Sequence, residues 1–526
     1  ILRGEPVLDM LITGISLAVA AIPEGLPAIV TIALALSVNR MVKKNAVIRR
    51  LHAVETLGCA NVICSDKTGT LTENRMTVQR VCCAGRDFAV TGNGLETGRI
   101  EQGGRTVGAK DDCDLKRALE IAAVCNNARI ENASRRGLKG QKAYAVDGEP
   151  TEAALAVMAV KGGVERSTSG YTLLRELPFD SQRKMMSVIV RSKGGELLMF
   201  TKGAPDILLQ RCAFVEKNGA AAPLTQSERQ RILQRNDEMA QDAMRVLALC
   251  WRRVSGSGDT AEQNLVFCGL AGMIDPPRKE AYEAVAKCRR AGIRPVMITG
   301  DSRQTACAVA KELHILTPGG ELLTGEVLTG EQLNRMDEEA FARVLPKVSV
   351  FARVTPAHKL RIVKALKAQG NIVAMTGDGV NDAPAVKEAN IGVSMGQNGT
   401  DVTKEASSVI LLDDNFATLV SAVEEGRVIY RNIRKFIRYL LSCNIGEVVT
   451  MFLAMLMGMP VPLLPIQILL INLVTDGLPA IALGLDPPDS DVMTEKPRRS
   501  GDSIFSGGLL TVILFRGMLI GLTTIA

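Results

Sequence analysis

The sequence predicts a multidomain α/β membrane protein, with a doubly wound parallel sheet, an inserted α+β domain and transmembrane helices at both ends. Three observations lead there. Apolar stretches long enough to cross a bilayer occur only near the two ends. The middle repeats short apolar strands that run into aspartate-bearing loops, with helical stretches between them. At 526 residues the chain is too long for one compact core, so about three domains are expected.

Taken in order, the first apolar stretch runs from about Leu8 to Val38 and the second from about Ile437 to Met457. A third runs from about Leu463 to Leu485, and a fourth begins near Leu509. Arg40, Lys43, Lys44, Arg49 and Arg50 follow the first; Arg427, Arg431, Arg434, Lys435 and Arg438 precede or open the second. Lys496, Arg498 and Arg499 lie between the third and fourth, whereas the link Gly458-Met459-Pro460-Val461-Pro462 carries no charge. The positive-inside rule then makes the protein integral and multi-pass, with the large middle region cytosolic and the Gly-Pro hairpin facing out. The chain starts at Ile1 and ends at Ala526 inside an apolar run, so it reads as a fragment cut at both ends.

Composition excludes some classes. The net charge of +7 comes from interspersed charges, and no basic run with interleaved aromatics marks a nucleic-acid groove. Twelve cysteines fall at irregular spacings without a Cys-x-x-Cys pair, which suits a reducing compartment better than a disulfide framework or a zinc site. The three histidines, His52, His314 and His358, read as packing or surface residues.

Strands are expected at Val62–Cys64, Pro295–Ile298 and Ile372–Met375, with helices at Thr305–Leu313 and His358–Ala368. The strands lead into Asp66-Lys67-Thr68-Gly69-Thr70, Thr299-Gly300-Asp301 and Thr376-Gly377-Asp378-Gly379-Val380-Asn381-Asp382. In a parallel sheet, strand ends of this kind form the ligand site. Glycine admits a phosphate close to the backbone, and a carboxylate can accept a phosphoryl group. An anion approaching an anion needs Mg²⁺ and a lysine; Lys359 begins a helix in suitable phase, and Asp378 and Asp382 can supply metal ligands.

The string Cys64-Ser65-Asp66-Lys67-Thr68-Gly69-Thr70-Leu71-Thr72 resembles the phosphorylation signature of P-type ATPases. Thr376 through Pro384 resembles their hinge motif, and Asp275-Pro276-Pro277-Arg278 a further one. The resemblance covers essentially the whole chain in the family's order. It implies a haloacid dehalogenase-like phosphorylation domain with Asp66 as nucleophile and Mg²⁺ held by Asp66, the Thr68 carbonyl and Asp378. It also implies Lys359 and Thr299 as phosphate contacts and Asp382 as support. The implied organisation is residues 1–45 as a membrane helix and stalk, 46–76 and 268–425 as the phosphorylation domain, and 77–267 as the nucleotide-binding domain. Residues 426–486 are a stalk and transmembrane hairpin, and 487–526 a cytosolic loop and further helix.

No Gly-x-x-x-x-Gly-Lys-[Ser/Thr] loop is present, so ATP is not held in P-loop fashion. The resemblance nominates Glu152, Phe179, Lys184, Lys202 and Arg245 for ATP, with Phe179 stacking on adenine, Lys202 closing the pocket and Arg245 reaching the phosphates. Thr299, Gly300, Asp301, Arg353 and Asn381 are further contacts implied on the phosphorylation side. Some animal calcium pumps carry arginine two residues after the stacking phenylalanine, where this chain has Ser181.

Carboxylates within membrane spans are costly and mark function. This chain has Glu24, Glu447 and Asp476. Around Glu24, Pro23 and Pro27 remove amide donors and Gly25 loosens the helix, freeing carbonyls near Val19, Ala20 and Ile22. Asn444 and Glu447 share a face of the second span, as Asn472, Thr475 and Asp476 do on the third. These ligands are all oxygens, which suits a hard cation such as Ca²⁺; no Cys-Pro-Cys stands in for Pro23-Glu24. Pro23-Glu24-Gly25-Leu26-Pro27 with Asn472-Leu473-Val474-Thr475-Asp476-Gly477 resembles sarco/endoplasmic reticulum-type calcium pumps. The resemblance implies ATP-driven Ca²⁺ export, with a further acid on a later helix. It also implies an actuator domain with Thr-Gly-Glu-Ser elsewhere in the same polypeptide. Two rival readings are the same mechanism for Mn²⁺, Na⁺ or H⁺, and a haloacid dehalogenase-type phosphatase, against which the membrane carboxylates and the large insert argue.

Overall fold

Runs such as Val62-Ile63-Cys64 and Val373-Ala374-Met375 lack the polar positions of a surface helix, and both become buried strands. In the computed structural model, which describes residues 7–20, 25–92, 98–133, 143–316, 326–487, 492–498 and 502–526, they belong to one eight-stranded sheet. Its strands are β1 (Ala46–Ile48), β2 (Val62–Asp66), β3 (Arg294–Ile298), β4 (Val327–Thr329), β5 (Val350–Ala352), β6 (Val373–Gly377), β7 (Ile391–Met395) and β8 (Val409–Leu411). The order is β1-β8-β7-β6-β2-β3-β5-β4, parallel throughout except for the β1–β8 pair. From β2 the chain builds outward in both directions, through β3 on one side and β6 on the other. That reversal is where a doubly wound sheet opens a crevice at its carboxyl ends. Helices Lys279–Arg290 and Pro356–Ala368 cover the strands, and Ile362, Val363 and Leu366 pack with Val62, Cys64, Val373 and Met375.

The chain divides into two compact units. The first comprises Ile1–Leu71, Lys279–Gly300 and Leu313–Ala526; the second comprises Thr72–Arg278 and Asp301–Glu312. The second holds a mainly antiparallel sheet with strands Thr77–Cys83, Thr172–Asp180, Met185–Arg191, Leu197–Gly203, Arg245–Arg253 and Leu265–Ile274 among its members. Strand Leu265–Ile274, buried along its whole length, pairs with Thr77–Cys83, so this sheet runs beyond residue 267. The Asp275 carboxylate closes its base, accepting from Thr72 Oγ1 at 2.5 Å and the Arg75 amide at 3.1 Å.

The apolar ends form helices. The stretch expected from Leu8 to Val38 is helical over Val7–Ala20 and Leu26–Lys43, and residues 21–24 between them lie outside the described residues. The second starts with Pro27 in its first turn, where a missing amide costs nothing. The second expected span is the distal part of a 41-residue helix, Phe416–Leu456, which is about 60 Å long. The third starts as Pro465–Leu470, passes through a π-type turn at Ile471–Thr475 and continues as Gly477–Leu485. Among the described residues, three helical segments, Leu26–Lys43, Phe416–Leu456 and Ile466–Leu485, are long and apolar enough to cross a membrane. Helix Leu509–Ile525 is apolar and shorter.

Glycines set two helix crossings. A Cβ on Gly58 would lie 2.7 Å from the Gly426 backbone, so His52–Cys59 lies directly against the long helix. Cβ atoms on Gly517 and Gly521 would meet Ile445 and Val449 side chains at 2.4 Å, so Leu509–Ile525 docks on the long helix through a small-xxx-small stripe. Between these crossings the buried Arg427 guanidinium donates to the carbonyls of Val492, Glu495 and Ala291 at 3.1, 2.6 and 3.2 Å. It thereby ties the loop after the hairpin to the end of a sheet-covering helix.

Candidate functional site

β2 ends at Asp66 and β6 at Gly377, side by side, with the Asp66 amide donating to Thr376 Oγ1 at 3.1 Å. Beyond Asp66, Thr68 is extended and Gly69 takes φ +76°, a turn that favours glycine. Beyond β6, Asp382 folds back over Gly377: a Cβ there would lie 2.5 Å from the Asp382 Cβ, so Gly377 makes room for the acid. Carboxylate oxygens of Asp66, Asp378 and Asp382 consequently all lie within 4.8 Å of one another. Helix Pro356–Ala368, opened by Thr355 and Pro356, delivers Lys359 into this group. Its ammonium donates to Asp66 Oδ2 at 2.5 Å and to Asp382 Oδ1 at 2.8 Å.

The electrostatics follow from burial. Burial pushes the Asp66 carboxyl above its ordinary value, against the opposing pull of Lys359. Burial does the same to Asp378, helped by the neighbouring Asp66 and Asp382 charges. For Lys359 burial acts downward, but the two carboxylates outweigh it and the ammonium is held above the usual lysine value. A half-buried carboxylate, a fixed cation and two further acids form a group with the chemistry to accept a phosphoryl group and hold a divalent cation. Thr299 is buried at the end of β3, its amide donating to Phe351 O at 2.9 Å. Gly300 and Asn381 are exposed, and Arg353 has a φ of +50°.

The nucleotide candidates lie in the second unit, as does Asp301. Phe179 is 61% exposed, near the end of strand Thr172–Asp180. Lys184, with φ +54°, forms the turn into the next strand. Lys202 pairs across the sheet with Met186, and Arg245 begins the adjoining strand at the same sheet end. Buried Lys202 donates to Glu152 Oε1 at 2.7 Å, so two of the nominated residues are joined directly. Arg183 is engaged elsewhere, with buried Glu262 at 2.6 Å.

At membrane depth Asn444, Glu447, Asn472 and Asp476 are all buried. Both Glu447 carboxylate oxygens, Asn472 Oδ1 and Asp476 Oδ2 have no hydrogen-bond partner among the described residues. Asp476 Oδ1 accepts from the Tyr439 hydroxyl at 3.1 Å. Thr475, unlike these four, is exposed. The reason is the π-type turn, in which the Asp476 amide bonds back to Ile471 O at 2.8 Å. One extra residue per turn rotates Thr475 off the face that regular helical spacing assigns it. Val19 and Ala20 end helix Val7–Ala20, while Ile22 and Glu24 lie outside the described residues. Two features escaped the sequence reading: the π-type turn, which has no compositional signature, and Tyr439, whose hydroxyl reaches Asp476.

A family model described as P-type ATPase, cytoplasmic domain N, matches residues 114–280, and one described as cation transporting ATPase, C-terminus, matches residues 460–526. The chain is 49% identical over 535 residues to a calcium-transporting ATPase of Bacillus subtilis, covering 100% of this chain and 58% of that protein. It is 42% identical over 559 residues to calcium-transporting ATPase 4, endoplasmic reticulum-type, of Arabidopsis thaliana, covering 97% and 52%. To the human calcium-transporting ATPase type 2C member 1 it is 43% identical over 524 residues, covering 99% and 54%. The chain thus spans about half the length of the curated relatives it matches.

Proposed function

The chain belongs to the P-type cation-transporting ATPase family, and from that premise we propose that it carries the phosphorylation, nucleotide and ion sites of an ATP-driven pump exporting Ca²⁺ from the cytosol. The observation that carries this reading is the Lys359 ammonium between Asp66 and Asp382 at the switch point of the parallel sheet. In this reading residues 46–76 and 268–425 hold a haloacid dehalogenase-like phosphorylation domain, residues 77–267 bind the nucleotide, and the whole middle region is cytosolic.

In the proposed reaction an Asp66 carboxylate oxygen attacks the γ-phosphorus of ATP. The bond from phosphorus to the β,γ-bridging oxygen breaks and ADP leaves, giving an aspartyl-phosphate that water later hydrolyses. Lys359 swings its charge from the free carboxylate to the phosphoryl oxygens, where negative charge develops. Thr299, Gly300, Asp301, Arg353 and Asn381 orient the phosphoryl group. The three clustered carboxylates fit Mg²⁺, a cation of carboxylate and water oxygens. Asp66, Asp378 and the Thr68 carbonyl would hold it, with Asp382 in support, and when bound it neutralises phosphate charge. Exposed Phe179 offers the adenine a face, while Lys184, Lys202, Glu152 and Arg245 line the sheet end beside it.

The partnerless buried oxygens of Glu447, Asn472 and Asp476 support a hard cation as cargo. Asn444, Thr475, Glu24 and the carbonyls of Val19, Ala20 and Ile22 complete that set in the proposal. The names of the relatives point to calcium. The complete polypeptide, given γ-labelled ATP and micromolar Ca²⁺, is expected to take up label that Asp66→Asn abolishes. Labelling indifferent to Ca²⁺, or surviving that substitution, would overturn the proposal.

A further inference from the structure

Lys435 and Arg438 lie three apart on helix Phe416–Leu456, so they share a face. The glycine stripe of Leu509–Ile525 seats that helix against the same stretch and brings Arg516 with it. Between these two helices and Leu483 of Gly477–Leu485 lies a cavity of about 370 Å³. Lys435, Arg438 and Arg516 line it together with apolar Leu483 and Leu519, and no acid is among its lining residues. Lys435 pairs with Asp486 at 3.2 Å, whereas neither Arg438 nor Arg516 has an acidic partner among the described residues. Two guanidinium charges therefore border one cavity without a counter-ion.

The surroundings select the anion. Arg516 stands seven residues into an apolar helix, about 10 Å from its start, and is exposed. Leu514, Phe515 and Met518 beside it are exposed too. A guanidinium at that depth, among side chains that face lipid, needs an anion or a route to the headgroup level. A soluble anion would have to leave water to reach it, whereas the phosphate of a phospholipid already lies near that level. We infer that this cavity is a binding site for the headgroup of an anionic phospholipid. Arg438 and Arg516 hold the phosphodiester, because a guanidinium fork matches phosphate oxygens. The acyl chains run along the apolar faces beyond Leu483 and Leu519. A zwitterionic headgroup fits less well, since its own cation would enter a group of three positive side chains. The inference rests on the reading of these helices as membrane-spanning with their basic ends cytosolic, and not on the phosphorylation chemistry.

The test uses the complete pump polypeptide, delipidated in detergent and titrated with phosphatidylglycerol or phosphatidylcholine, with bound lipids counted by native mass spectrometry. The first phosphatidylglycerol is expected to bind more tightly than the first phosphatidylcholine. Arg438→Gln and Arg516→Gln should each weaken it about fivefold, the worth of one basic residue at an anionic lipid. Arg516→Lys, which keeps the charge, should weaken it less than Arg516→Gln does. Unchanged phosphatidylcholine binding and an unchanged unfolding transition show that the variants are folded. Equal affinity for the two lipids, or a preference for phosphatidylglycerol that survives both glutamine substitutions, overturns the inference. Displacement of the bound lipid by inorganic phosphate would mark a site for soluble anions and overturn it as well. None of these readouts uses ATP, so absence of Ca²⁺-dependent phosphorylation in the native protein would overturn the pump reading and leave the lipid result standing.

Discussion

The strand-end cluster of Asp66, Asp378 and Asp382 and the membrane cluster of Glu447, Asn472 and Asp476 are both buried groups of oxygens, yet they differ in what balances them. The first contains its own cation, Lys359, bonded to two of its acids. The second has partnerless oxygens and no described cation beside them. In the proposed function, the difference follows from what each cluster does. An acceptor that takes a phosphoryl group in every cycle works best in a preorganised field with a fixed charge. A cargo site cannot contain a fixed cation, because that cation would compete with the ion it has to bind and release. Buried carboxylates without a counter-charge are costly, and that cost is the affinity the arriving ion recovers.

The most drastic way to break this comparison is Asp66→Asn, which should reduce covalent labelling from ATP to background while leaving the circular dichroism spectrum and unfolding transition in place. Next is the fixed charge: Lys359→Met should slow phosphoenzyme formation by about 10²–10³-fold in rapid-quench measurements, the scale of losing one preorganised stabilising group. A loss below about threefold would mean that the lysine only holds the acids together. Glu447→Gln and Asp476→Asn address the other cluster. Each should raise the Ca²⁺ needed for half-maximal phosphorylation by about tenfold or more, with full labelling recovered at saturating Ca²⁺. Wild-type Ca²⁺ dependence in both would remove the membrane acids from the cargo site.

The smallest effect sharpens the cost side. The carboxyls of Asp66 and Asp378 lie above their ordinary values because burial disfavours the charged form. Their contribution to stability is therefore full below the ordinary aspartate value and is lost as pH rises through the raised folded values. Without Mg²⁺, Asp378→Asn should flatten that decline. It should also raise the unfolding midpoint at neutral pH by about 2–4 °C, the shift for about 1 kcal/mol in a domain of this size. Differential scanning calorimetry across pH reads both, and an unchanged profile would mean that the acids do not repel one another in the folded protein.

Much of the strand-end site was legible because its parts are local. A short apolar strand, an aspartate and a glycine-containing turn occur together in Val62 through Gly69 and again in Val373 through Gly379, and the backbone follows that pattern. The exposure of Thr475 was not legible for a physical reason: helical spacing presumes 3.6 residues per turn, and the π-type turn at Ile471–Thr475 breaks that phase. Tyr439 was passed over because a phenol on this helix looks like ordinary packing until Asp476 is set opposite.

By itself the sequence determined where the chain can cross a membrane, which strands end in acids and which donors are hard oxygens, because hydropathy, strand pattern and ligand chemistry belong to individual residues and short segments. Only the tertiary structure decided which acids share one space and which carry a counter-charge. It also decided that a phenol hydroxyl stands on one of the membrane acids. Those outcomes depend on strand order and on glycines that let helices and loops approach closely, which are relations between segments distant in the chain, and on an extra residue in one turn, a local choice without a compositional signature.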